Sequence, residues 1–352
     1  MPNEPARQRT LRVVLIALGV VLLALIGLFL LRQFAVTLLL IFAGTLLGVF
    51  LHGCAVLLRK WFRLPHPLAL GVAVLLLVGS AVLFGWLAGP QAVQQVQALT
   101  EQLPRSLSLL EQRLQGSEWG RAIVASLPSL SSLQVSFAAL LGSVTQAFSI
   151  TLEVVGAIVF IFFVGLYLAA SPELYQRGVL CLLPHAQRPR GREVLAALGL
   201  ALRWWLLGRA VTMALMGLLT WLALWLAGVP LALVLGIIAG LLLFVPYLGA
   251  ILAAIPAMLV GLIESPAKAL WIGVIYVGVH VFEGYCVTPF VQKRAVSLPP
   301  ALLLSVQVLA SALFGTIGVI FSTPLAVVGV VLLQTLYLHD VLGDEVEVLG
   351  EH

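Results

Sequence analysis

Charge is what this chain has least of. Of its 352 residues only 9% are charged, against 62% hydrophobic, and the mean hydropathy is +1.14. So few charges cannot cover the surface of a water-soluble protein of this length, so the expected solvent is lipid. Cysteine is nearly as scarce. Cys54, Cys181 and Cys286 are odd in number and widely spaced, with no CxxC, which excludes a disulfide framework. Catalytic signatures are missing too: there is no HExxH, GxSxG, P-loop or GxGxxG followed by an acid. The six histidines lack metal-ligand spacing. Neither an enzyme nor an ATP-driven pump is expected, and no cofactor or metal.

Long apolar runs are what the chain has instead. In lipid every backbone polar group must be paired internally, which leaves helices or a closed barrel. Barrel strands alternate apolar and polar residues, and these runs do not, so helices are expected. Spans are predicted at about Val13–Leu31, Phe34–Leu58, Leu68–Ala88, Ala147–Ala169, Leu206–Ala227 and Ala269–Val281, the last extending through Glu283. Between the third and fourth lies a segment of zero summed charge. Its apolar residues recur at helical spacing, as in Val93, Val96, Leu99 and Leu103. It reads as short amphipathic helices outside the hydrocarbon.

Two further runs have awkward lengths. Residues 230–263 and 300–338 contain no Asp, Glu, Lys or Arg. One crossing takes ~20 apolar residues, so the first is too long for one crossing and too short for two, and the second is marginal for two. Each is interrupted near its middle, by Val245-Pro246-Tyr247-Leu248-Gly249 and by Phe314-Gly315-Thr316-Ile317-Gly318. Apolar segments broken by Pro and Gly in corresponding places of two halves point to a transporter's binding site. Both runs also carry Pro-x4-Gly after an upstream glycine, a faint sign of inverted repeats.

The fold expected is therefore an all-α polytopic membrane protein. It has five to six full transmembrane helices, two broken or re-entrant hairpins entering from opposite faces, and a small extracytoplasmic amphipathic segment. Its parts are front helices over 1–89 for scaffold and oligomerisation, the amphipathic segment over 90–146, a transport core over 147–338 and an acidic tail over 339–352. Basic clusters mark cytoplasmic loops. They put the amino terminus, Arg59–Arg63, the 171–203 segment, Lys293 and Arg294 inside, and Arg32 outside. The net charge of +5 is topological and calls for no nucleic acid. The partners expected are the lipid bilayer, a small-molecule or ion substrate and further copies of the chain.

The candidate pathway residues follow from the breaks. Pro246, Tyr247, Gly249, Thr316, Gly318, Thr323 and Pro324 lie at or near them, where interrupted helices expose backbone N–H and C=O groups and partial charges. Glu283 joins them, because a carboxylate near hydrocarbon faces a cavity or a partner. The partner alternative is Lys293 or Arg294. His280, one turn before Glu283, could share its proton, although a lone interfacial histidine is favoured. Arg209 follows Trp204 and Trp205 and reads first as an interfacial anchor, with the pathway as the alternative. Gln307 either lines a cavity or bonds helices together.

Several of these pieces, in this order, resemble the AI-2E family, also called PerM-like permeases. They are Gly228-Val229-Pro230, Val245–Gly249 with Ile255-Pro256-Ala257, Glu283-Gly284 with Thr288-Pro289, Leu298-Pro299-Pro300, Phe314–Gly318, Thr323-Pro324-Leu325 and Asp340-Val341-Leu342-Gly343. The chain departs from the pattern at Arg209, where a polar amide is usual, and at Lys293, where a glycine is common. The resemblance implies a bacterial inner-membrane transporter, often discussed as an exporter of a small signalling molecule. Some members resemble cation–proton antiporters. The leading expectation is export of a small polar organic solute, autoinducer-2-like, with proton coupling. The alternatives are sodium–proton antiport and a non-transporting membrane scaffold.

Overall fold

The computed structural model describes residues 4–83, 152–287 and 298–340, with a few isolated positions between 85 and 94. The expected amphipathic segment, Thr288-Pro289, Lys293, Arg294 and the acidic tail beyond Asp340 lie outside the described residues. Within them every element is helical and no strand occurs. In chain order the helices are α1 (Glu4–Phe62), α2 (His66–Leu83), α3 (Leu152–Ala170), α4 (Pro172–Cys181), α5 (Arg188–Leu226), α6 (Ala232–Leu242), α7 (Leu248–Glu264), α8 (Pro266–Phe282) and α9 (Pro300–Leu332). A π-helical turn, Glu283–Val287, extends α8, and a second, Leu333–His339, extends α9. Five described helices are long and apolar enough to cross a membrane, or six when the bent pair α3–α4 is counted as one span. The chain is an all-α polytopic membrane protein.

The first two expected spans form one helix. α1 runs unbroken through Arg32-Gln33 for 59 residues, about 88 Å at 1.5 Å per residue. The physical reason is local. Leu31-Arg32-Gln33-Phe34 contains no Gly, Pro, Asn, Asp or Ser, so nothing there favours a turn, and Leu, Arg and Gln all favour helix. The front block over 1–89 is accordingly two helices among the described residues, not three.

α1 packs in parallel against α3 through small residues. A Cβ at Gly44 would stand 2.6 Å from Val164 Cγ1, and one at Gly48 would stand 2.8 Å from Leu168 Cβ. Glycines four apart let helix backbones approach closely where no hydrophobic effect drives association. At Ser171 the chain bends by 92° into α4.

α5 is the mast of the molecule, and α1, α4, α6, α8 and α9 all pack on it. It begins at Arg188, far earlier than the expected Leu206, so the basic residues 188–203 belong to its first turns and not to a loop. Gly236 and Gly240 of α6 seat on α5 at Gly217 and Met213. A Cβ on Gly236 would lie 2.8 Å from the Gly217 carbonyl oxygen, and one on Gly240 would lie 2.7 Å from that of Met213.

The two awkward segments are both helical hairpins. In the first, α6 has 11 residues and α7 has 17, about 16 and 26 Å, and neither spans a hydrocarbon core of ~30 Å. They fold back on one another, with Leu235, Ala239, Ala253 and Ala257 in a shared core that includes Leu224 and Ile272. In the second, α9 is two limbs, 300–314 and 316–332, joined at Gly315 with φ 64° and ψ −150°. That conformation is essentially restricted to glycine.

The hairpins start from opposite ends of α5. Lys268, at the base of the first, donates to the Gly228 carbonyl just past the carboxy-terminal end of α5 at 3.1 Å. At the amino-terminal end of α5, Arg190 grips Asp340 through Nε (3.0 Å) and Nη2 (2.7 Å), and Nη2 also donates to the Thr335 carbonyl at 2.9 Å. This fixes the end of the second hairpin. The two hairpins thus begin at opposite ends of one helix, the arrangement that entry from opposite faces requires.

Candidate functional site

The tip of the first hairpin is a strained turn held from outside. Leu248 N–H bonds the Pro246 carbonyl at 2.7 Å, and the residue between them, Tyr247, has φ 64° and ψ −57°. This is a γ-turn of the rare positive-φ form. Such a conformation in a non-glycine residue costs roughly 1–3 kcal/mol and persists only where neighbours over-determine it. Here two side chains do so. Gln307 Nε2, from the first limb of α9, donates to the Pro246 oxygen at 3.0 Å. Arg209 Nη2, from the middle of α5, donates to the Leu243 carbonyl. Phe244, within the turn, packs edge-on against Trp205 at 5.9 Å between ring centroids.

Glycine makes each hairpin's reversal possible by close approach. A Cβ on Gly249 would run into the Leu242 carbonyl, seven residues earlier. A Cβ on Gly318 would run into the Ala310 carbonyl, eight residues earlier, and stand 2.7 Å from Phe314 Cβ. Residues so far apart meet only where the chain doubles back, because eight residues of straight helix span about 12 Å. The two glycines occupy matching places in the two hairpins.

Glu283 stands level with this tip. α7 and α8 are antiparallel about Ser265, with Gly261 against Ala269. Leu243, Met216 and Val287 form a common core with Val279, which draws α5, the first tip and the end of α8 together. Glu283 Oε2 lies 2.9 Å from His280 Nδ1. Its charge acts on Arg209, although the two form no direct ion pair among those described. Two polar atoms of the clamp are buried and have no partner: Gln307 Oε1 and Arg209 Nε. Gln307 is only 3% exposed. Unpaired polar atoms at such depth cost free energy, so they mark a place where a group is wanted.

The structure therefore brings together Pro246, Arg209, Gln307, Glu283 and His280, with Tyr247 half-open beside them and Gly249 buried at the turn. Thr316, Gly318, Thr323 and Pro324 lie on the second hairpin, and no described bond links them to the first tip. Thr316 is exposed past the kink, while Thr323 and Pro324 are buried in the second limb, the Thr323 hydroxyl without a partner. Two readings change. Arg209 sits in mid-helix because α5 starts early, and its side chain turns inward to the Leu243 carbonyl beside Trp205, which is only 7% exposed. His280 is not alone, being bonded to Glu283. The carbonyl of Leu243 was not among the residues singled out. A backbone acceptor in an apolar run has no side-chain signature.

Residues 15–338 match the sequence profile of the AI-2E family transporter. The chain belongs to the AI-2E transporter family. It is 25% identical over 274 residues to the "Putative transport protein YueF" of Bacillus subtilis (strain 168), covering 74% of each chain. It is 29% identical over 278 residues to the "Putative transport protein MT0215" of Mycobacterium tuberculosis (strain CDC 1551 / Oshkosh), covering 74% of this chain and 72% of the relative. A shorter match, 28% over 120 residues, joins it to the "Putative transport protein YhhT" of Escherichia coli (strain K12). As an AI-2E family member the chain is a multi-pass membrane transporter.

Proposed function

We propose that this AI-2E family protein exports a small polar organic solute across the bacterial inner membrane, driven by the proton gradient. The observation that carries the reading is the clamped first tip. Two polar side chains from different helices hold its carbonyls, and each keeps one buried atom unpaired. A polar solute entering there would satisfy Gln307 Oε1 and Arg209 Nε and offset their desolvation. Glu283 with His280 at the same level is the proton-carrying pair. Loading and unloading that pair would change the charge beside Arg209 and so the hold on the tip.

The topology we propose puts the Arg59–Arg63 end of α1 and the carboxy terminus in the cytoplasm, following the basic clusters. An unbroken α1 crossing once then places the amino terminus outside, despite Arg7, Arg9 and Arg12. Self-association would use the open apolar face of α2 around Leu75, Val78, Gly79 and Val82.

Purified protein in liposomes, loaded with a panel of labelled polar solutes under an imposed pH step, tests the function. Gradient-driven solute flux is expected. Sodium movement against protons with no solute flux would turn the assignment to antiport, and no flux of any kind would leave a scaffold.

A further inference from the structure

We propose that His66 and Arg203, with His52 bonded behind His66, form a binding site for a phosphate group, apart from the hairpin tip. They come from three helices, α1, α2 and α5, and meet near the cytoplasmic end of α1. His66 Nε2 lies 3.5 Å from His52 Nδ1, and the two rings are 5.4 Å apart. The stem of Arg203 passes over Gly53, where an added Cβ would stand 3.1 Å from Cγ and 3.5 Å from Nε. Its guanidinium lies 5.8 Å from the Trp204 ring centroid.

Among the described residues no salt bridge joins these groups to a carboxylate. His66 and Arg203 are the charged neighbours of His52, which is also hydrogen-bonded to the backbone of Ala169 on α3, and Arg203 also faces Cys54. Among the described residues Arg203 makes no hydrogen bond, and its Nε is fully buried without a partner. A partly buried guanidinium with neither carboxylate nor carbonyl is costly unless an anion completes it. All three side chains keep some accessible surface.

The surroundings fit a phosphate. Arg59, Lys60 and Arg63 are exposed one to three turns farther along the chain, so the approach is positive. Trp61 and Phe62 are exposed at the same end, where aromatic residues sit in the headgroup layer. The guanidinium fork of Arg203 and the ring nitrogen of His66 that does not face His52 suit the oxygens of a phosphate. Basic pockets between transmembrane helices at this depth take anionic headgroups. The same chemistry would accept free inorganic phosphate.

The test uses the full chain in neutral detergent. Dioleoylphosphatidylglycerol, dioleoylglycerol and inorganic phosphate are titrated in turn, with binding read by native mass spectrometry and thermal midpoint. Wild type should bind phosphatidylglycerol and not dioleoylglycerol, and His66→Gln/Arg203→Gln should bind it about tenfold more weakly or worse, as loss of charge-assisted bonds predicts. Lys60→Gln, at the exposed rim, should stay within about twofold, as expected for a surface charge. A midpoint rise with inorganic phosphate alone, absent in the double variant, would assign the site to free phosphate, and no such rise would assign it to the lipid. If the double variant is not monodisperse, Arg203→Lys serves in its place and should bind at an intermediate level. Phosphatidylglycerol binding equal to wild type in the variant used, or equal binding of dioleoylglycerol, overturns the proposal.

Discussion

Gln307 Nε2 donates to the Pro246 carbonyl across 61 residues of sequence, at 3.0 Å. That bond joins the two hairpins, which also share a core through Phe244, Val327 and Val331. It also supports the γ-turn at Tyr247, since the same oxygen accepts the Leu248 N–H. Gln307→Leu keeps the volume and removes the donor. We expect a stability loss of about 0.5–1.5 kcal/mol, the usual net worth of one hydrogen bond, since the Pro246 oxygen keeps the Leu248 N–H, read as a fall in thermal midpoint. Transport should fall much further, by tenfold or more, because about 1.4 kcal/mol of lost positioning is already a factor of ten. Normal flux in a destabilised Gln307→Leu protein would reduce the bond to structural glue.

Gly249 and Gly318 are predicted to tolerate no β-branched residue. In each hairpin the position of a Cβ is already taken by a carbonyl, that of Leu242 or that of Ala310. Gly249→Val and Gly318→Val should abolish flux, with the tip forced open. Gly273→Ala serves as the control, because a Cβ there meets only Met258 at 3.6 Å, an ordinary contact. Wild-type flux in both valine variants would remove the tips from the pathway.

Glu283→Gln separates coupling from structure. It keeps a hydrogen-bonding partner for His280, now 2.9 Å from the carboxylate, and removes titration. Gradient-driven accumulation should vanish while exchange between compartments of equal pH continues. Full gradient-driven flux in this variant would rule out proton carriage at Glu283.

The unbroken α1 makes a length prediction. Spin labels at Leu11 and Lys60 should lie about 74 Å apart along a straight helix of 1.5 Å rise. A hairpin turning at Arg32 would bring them within a few turns of one another, and pulsed dipolar spectroscopy distinguishes the two.

Arg190 is the fastening of the second hairpin's end. Its fork on Asp340 is one-third exposed on both partners, 33% and 34%, so solvent and salt weaken it. Arg190→Gln should cost about 1 kcal/mol, near the upper end for surface pairs, and less at high salt. An unchanged thermal midpoint at low salt would show that packing alone secures the end of α9.

That this protein lives in lipid, is helical and breaks at its two hairpin tips can be read from the chain without any tertiary contact. Those facts depend on local chemistry: apolar runs without charge, and Pro and Gly at 246, 249, 315 and 318, which limit the backbone wherever they fall. Composition also placed Glu283 among the residues to watch, because a lone carboxylate in an apolar helix end is visible one residue at a time. Tertiary structure alone decided the partners. Arg209 looked like an anchor beside two tryptophans, and only the full length of α5 set it opposite Leu243. Nor could spacing bring Gln307 to Pro246, since the bond depends on how the first hairpin seats on α5 through glycines at 217, 236 and 240 and the second through Val327 and Val331. The fusion of α1 lay between these cases. Leu31-Arg32-Gln33-Phe34 carries no turn residue, and a single charged residue marks a boundary only when the backbone there has a reason to bend.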